Sequence, residues 1–113
     1  MFKNELVVLS DSITNVANLT FYQNAKKAYK TGYVVTLTIC AYNGTGSDIA
    51  ANTTLLTLGS GLTPIDDLVV PVNFDGQWHY CLIARNGNIS LDAALESGTT
   101  HGFSLSISYA TNN

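Results

Sequence analysis

Tyr33-Val34-Val35-Thr36-Leu37-Thr38-Ile39-Cys40-Ala41-Tyr42 decides the fold. Tyr33, Val35, Leu37, Ile39 and Ala41 alternate with Val34, Thr36, Thr38, Cys40 and Tyr42, the period of two that sends successive side chains to opposite faces of a strand. Both sets are fairly apolar, which predicts a central strand covered on both sides. Gly32 opens the stretch and Asn43-Gly44-Thr45-Gly46 closes it, with two glycines available for positive φ.

Shorter strand signals surround this one. Residues 5–9, 18–23 and 53–58 are apolar runs, and Gly59-Ser60-Gly61 and Leu62-Thr63-Pro64 follow the last of them. Residues 68–72 contain Pro71, which cannot donate to a ladder and so requires a free edge or a bulge. Asp75-Gly76 marks a hairpin into residues 77–85, where Trp78, Tyr80, Leu82 and Ala84 alternate with His79, Cys81, Ile83 and Arg85. Asn86-Gly87 matches a type I′ turn leading into residues 88–91. Residues 92–96 read as one helical turn or an irregular link. Phe103, Leu105, Ile107 and Tyr109 then alternate strictly with three serines. Only residues 16–29 read equally as helix or strand. About eight short strands with Gly, Asn, Asp and Pro punctuation predict an all-β fold. It is a compact antiparallel sandwich or barrel of jelly-roll or Greek-key type.

The chain's 113 residues fit a single domain, with residues 1–17 a candidate N-terminal arm. Charged residues make up only 12% against 46% hydrophobic, which excludes a charge-driven disordered segment. Five Lys+Arg against eight Asp+Glu give a net charge of -3. Only Lys26, Lys27 and Lys30 cluster, so no nucleic-acid partner is expected. No run of 18 apolar residues is present, so no membrane span is expected. The opening Met1-Phe2-Lys3-Asn4-Glu5 leads into no long apolar stretch or cleavage site, so no export leader is expected. A mean hydropathy of +0.17 exceeds what one small core absorbs, and a homomeric interface would bury the surplus.

Chemistry-bearing patterns are sparse. Cys40, Cys81, His79 and His101 contain no C-x-x-C or H-x-x-x-H spacing. His79 and Cys81 share a strand face, but three or four ligands are needed for a metal, so no metal or cofactor is expected. The two cysteines read as free, apolar thiols. No Gly-x-Ser-x-Gly elbow is present, and Asp66, Asp67, Asp75, Asp92 and Glu96 sit in turn-like segments, so no enzymatic activity is expected. Asn-x-Ser/Thr triplets at Asn18, Asn43, Asn52 and Asn88 are as many as an Asn-, Ser- and Thr-rich chain produces by chance.

Aromatic residues offer a binding chemistry. A sugar ring stacks its C–H face on an exposed Trp or Tyr while neighbouring polar groups direct its hydroxyls. Asp75-Gly76-Gln77-Trp78-His79, with Arg85 on the His79 face, is such a segment; Tyr42 and His101 are further candidates. The competing reading places Trp78 and Tyr80 in the core with Leu82.

The C-terminal half adds a resemblance. Leu58-x-x-Gly61-Leu-x-Pro64, Gly76-Gln-Trp78, Leu82-Ile-Ala-Arg-Asn86-Gly87-Asn-Ile89-Ser-Leu91 and the closing Gly102-Phe103-Ser-Leu-Ser-Ile-Ser-Tyr109 resemble the C-terminal head domains of tailed-bacteriophage receptor-binding (tail fibre or baseplate) proteins, over roughly residues 32–110. That resemblance implies a non-enzymatic homotrimeric head on the virion tail tip, assembled in the host cytoplasm. Such a head contacts other tail or baseplate proteins and recognises a host cell-envelope saccharide. The alternatives are a structural virion or baseplate subunit without a ligand, and a lectin-like carbohydrate-binding module.

Overall fold

The computed structural model describes residues 6–99 and 102–112. Nine strands and one 3-10 turn, η1 (Ser10–Ser12), make up its regular structure. The first sheet has the order β1 (Val7–Val8), β3 (Thr20–Thr31), β4 (Val34–Tyr42), β9 (Phe103–Ala110). The second has the order β2 (Ile13–Asn15), β5 (Leu56–Leu58), β8 (Asn88–Leu91), β7 (Gln77–Ile83), β6 (Leu68–Phe74). All strand pairs are antiparallel. The all-β antiparallel sandwich expected from the sequence is the fold observed. Residues 7–8 and 13–15, inside the candidate arm, pair into the two sheets, and Ile13 is a core residue.

β4 is central, flanked by β3 and β9. Val35, Leu37, Ile39 and Ala41 are completely buried and meet Leu56, Ile83 and Ile89 in one cluster between the sheets. Among the described residues nothing covers the opposite face of β4, against the expectation of cover on both sides: Val34 and Thr36 are exposed, Thr38 and Cys40 half-buried. Thr36 Oγ1 lies 3.0 Å from Ser108 Oγ across the β4–β9 pair. Threonine's methyl makes such a face look apolar in sequence, while its hydroxyl suits it to water.

The hairpins follow local chemistry. Asp75 (φ 56) and Gly76 (φ 71) are both left-handed, the signature of a two-residue type I′ turn, with Phe74 opposite Gln77. Asn86-Gly87 departs from the type I′ expectation. Only Gly87 (φ 95) has positive φ there, and the Ala84 N–H reaches the Asn88 carbonyl at 2.9 Å across a three-residue loop. A type I turn followed by a left-handed glycine produces this geometry. The Asn86 side chain holds it by accepting the Asn88 N–H at 3.0 Å. Pro71 lies on β6, the edge strand of its sheet, where a missing N–H costs no ladder bond. Residues 92–96 form an irregular link.

β3 resolves residues 20–29 of the ambiguous stretch 16–29 as strand, and residues 16–19 are an irregular link between β2 and β3. Ala25-Lys26-Lys27-Ala28 are good helix formers, but the open edge of β4 offers pairing and burial that outweigh propensity. A bulge interrupts the pairing: Phe21 faces Ala41 and Lys26 faces Ile39, so residues 22–25 stand opposite Cys40 alone. Gln23 (φ 50) and Asn24 (φ 59) are left-handed within it. Asn tolerates this conformation, whereas Gln pays about 1 kcal/mol.

Asn43 closes the end of β4. It is 0% exposed, and its Nδ2 donates to the carbonyls of Ser47 (2.7 Å) and Leu95 (2.9 Å). Its Oδ1 accepts from the Thr45 N–H (3.0 Å) and the Thr45 hydroxyl (2.7 Å). Both amide protons are engaged, so this Asn-x-Thr triplet is a structural clasp. Asn43→Ala is expected to cost about 1–3 kcal/mol in urea unfolding, because the Thr45 N–H loses its acceptor and the Leu95 carbonyl keeps only the Ile49 N–H.

Candidate functional site

Strand alternation on β7 produces two unlike faces. Cys81 and Ile83 point into the core, and burial pushes the Cys81 thiol up to about 12. His79 shares that inward face at its rim, stacked on Phe74 with ring centroids 4.0 Å apart. Its Nδ1 lies 3.6 Å from Asp92 Oδ1, the same oxygen that accepts the Tyr80 N–H at 3.1 Å.

Trp78, Tyr80 and Leu82 point outward, 71%, 58% and 38% exposed. Register places Asn73 opposite Trp78, Pro71 opposite Tyr80 and Val69 opposite Leu82, so these six residues share one outer face. Ser90 of β8 lies opposite Leu82. No charged residue occupies that face of β6, β7 or β8. The result is an aromatic ladder with one amide, Asn73, beside its tryptophan and the Asp92 carboxylate at the Tyr80 edge. The competing reading that placed Trp78 and Tyr80 in the core with Leu82 is not met: all three lie on the solvent side, because Cys81 and Ile83 take the inward face of β7.

The residues singled out in the sequence do not converge. Trp78 and His79, being neighbours in a strand, face opposite sides of the sheet. Asp75 sits at the tip of the β6–β7 hairpin, close in sequence to Trp78 and Asn73. Arg85 lies beyond the far end of β7, where its N–H donates to Asp67 Oδ1 at 2.8 Å and its Nε is 3.9 Å from the same oxygen. Tyr42 is on the other sheet and packs against Tyr22 with ring centroids 4.9 Å apart; the Tyr22 hydroxyl donates to the Thr99 carbonyl. His101 lies outside the described residues. The geometry adds Asn73, Tyr80 and Pro71 around Trp78. Of these, Asn73 was legible as the position facing Trp78 once the Asp75-Gly76 turn fixes the register.

A groove of about 410 Å³ opens elsewhere, beside the β3 bulge. Among the described residues no three of His, Cys, Asp and Glu gather to hold a metal ion. Cys40 and Cys81 are both free. Among the described residues no helix is long and apolar enough to cross a membrane. No protein-family model matches the chain, and no curated protein is significantly similar to it.

Proposed function

We propose that the chain is a non-enzymatic adhesion head that recognises a cell-surface saccharide and acts as a homotrimer, as the resemblance to bacteriophage receptor-binding heads implies. One observation carries this reading: the chain's single tryptophan is 71% exposed on a regular hairpin, with Tyr80 two residues along the same face. A soluble domain gains nothing in its own core from such a side chain. An indole on a stiff strand offers a flat partner for a sugar's C–H face with little rotamer entropy to lose. Asn73 supplies a donor and an acceptor for ring hydroxyls, and Asp75 at the hairpin tip supplies a carboxylate. His79 serves as the support that packs behind the hairpin, and Arg85 and Tyr42 fall outside this subsite.

A separate exposed apolar area favours self-association. Leu6, Val7 and Val8 at the β1 edge of the first sheet are exposed, as are Tyr33 and Val34 at the β3–β4 turn of the same sheet. Burying it between copies would leave the ladder of the second sheet free, and three weak sites on one particle would gain in avidity. The structural-subunit alternative draws on Val69 and Leu82, which extend the ladder with aliphatic area suited to a protein neighbour.

Light scattering is expected to give three copies of the 12.1 kDa chain. A glycan array is expected to show density-dependent binding that Trp78→Ala weakens at least tenfold with an unchanged unfolding curve. A well-folded protein that binds no glycan at any printing density would discard the saccharide reading in favour of the structural one.

A further inference from the structure

The β3 bulge opens a groove that the aromatic ladder does not include. By pushing residues 22–25 out of register, the bulge raises one wall of the groove, and β1 and η1 supply the opposite wall. Phe21 and Tyr29 line it with rings, and Lys26, Lys27, Asn24 and Asp11 bring the polar groups.

Charge points to the ligand. The chain carries -3 overall, yet three of its five Lys+Arg residues, Lys26, Lys27 and Lys30, fall on β3. Lys26 is half-buried, and its Nζ donates to the Ile13 carbonyl at 3.0 Å. A lysine ammonium has three donors, so this one is held in place with capacity to spare, and a ligand meeting it pays little of the rotamer entropy a free lysine would lose. Lys27, its neighbour in the strand, leaves the opposite face of β3, is exposed, and borders the same groove from there. A bare anion would be repelled by the Asp11 carboxylate in the same groove. A sugar bearing an acidic group meets all the elements at once: ring faces for its C–H surface, ammonium groups for its acid, and Asp11 and Asn24 for its hydroxyls.

We infer that this groove binds a saccharide carrying a carboxylate, sulfate or phosphate group. The inference deepens the adhesion reading by naming a ligand class, but it rests on a different surface, so the two fail separately. The test is an array of uronate-, sulfate- and phosphate-bearing oligosaccharides printed beside their neutral counterparts, probed with the whole chain. Acidic members are expected to bind at least tenfold more tightly than neutral ones, with affinity falling as salt rises. Lys27→Glu, at an exposed position that leaves the fold intact, is expected to remove that preference, while Trp78→Ala preserves it. Inorganic phosphate at the same concentration is expected not to displace the bound saccharide. Equal binding of acidic and neutral members, an unchanged preference in Lys27→Glu, or displacement by phosphate alone would each overturn the assignment. Loss of the preference in Trp78→Ala but not in Lys27→Glu would move acidic recognition to the ladder and likewise overturn it.

Discussion

Raising the pH above about 9 is expected to unfold this protein progressively, by about 4 kcal/mol at pH 11, from two buried acids that the folded chain keeps protonated. Burial pushes the Cys81 thiol from 9.0 up to about 12, and desolvation raises the Tyr109 phenol well above its ordinary 10.0. The Tyr109 hydroxyl donates to the Leu62 carbonyl at 2.6 Å, a bond that its ionised form cannot make. Between the unfolded and folded values the native chain holds a proton that the unfolded chain has released. The stabilisation is therefore complete below pH 9 and is lost as the pH rises toward the folded values. Each group steepens the fall by about 1.4 kcal/mol per pH unit, Cys81 from pH 9 and Tyr109 from pH 10. Urea midpoints measured from pH 8 to 11 check this. Cys81→Ala should lower stability at pH 8 through a small cavity, yet flatten the slope between pH 9 and 10. An unchanged slope would mean that Cys81 is reachable by water.

Gly87→Ala is the substitution expected to damage the fold most, by about 3 kcal/mol or more, because it combines backbone strain with a main-chain collision. Gly87 has φ +95, and a Cβ placed there would lie 2.5 Å from the Leu58 carbonyl oxygen. That oxygen belongs to β5 and cannot swing aside as a side chain would. The Gly87 carbonyl also accepts the Leu58 N–H at 2.8 Å, so moving the loop away breaks a bond between the β7–β8 hairpin and β5. Gly76→Ala is the matching control. Its φ of +71 is similar, but a Cβ there meets nothing within 4 Å, so only the left-handed strain of about 1 kcal/mol remains. Urea unfolding of the two variants should separate them by about 2 kcal/mol or more, and equal losses would show that the collision is relieved.

Much of the sandwich was legible before any coordinates, and the reasons are local. The alternation of β4, β7 and β9 survives in the burial of Val35, Leu37, Ile83, Phe103 and Leu105. Pro71 marked an edge because proline lacks an N–H, and Asp75-Gly76 marked a hairpin because both residues accept positive φ. What escaped depended on distant partners. The helix formers of residues 25–28 join a sheet because β4 is there to pair with, and β2 is too short to leave a periodic signal. On β7 both alternating sets are apolar, so the pattern alone does not say which faces inward. Cys81 and Ile83 take the core, and the larger Trp78 and Tyr80 are left outside. For the site, the separation of Trp78 from His79 follows from strand alternation alone. The groove was not legible because it arises from a bulge, a mismatch between two strands that neither one carries by itself.

The central claim, that the outward ladder of β6 and β7 is a saccharide-recognition surface, is tested most directly by the fluorescence of Trp78. The chain contains one tryptophan, so its emission reports on this position alone. Free protein is expected to emit as a water-exposed indole and to be readily quenched by acrylamide. Saturation with the array saccharide whose signal depends most on Trp78 should shift the emission to shorter wavelength and shield the indole from the quencher. Emission and quenching that stay unchanged at saturation would place the ligand elsewhere and contradict the account.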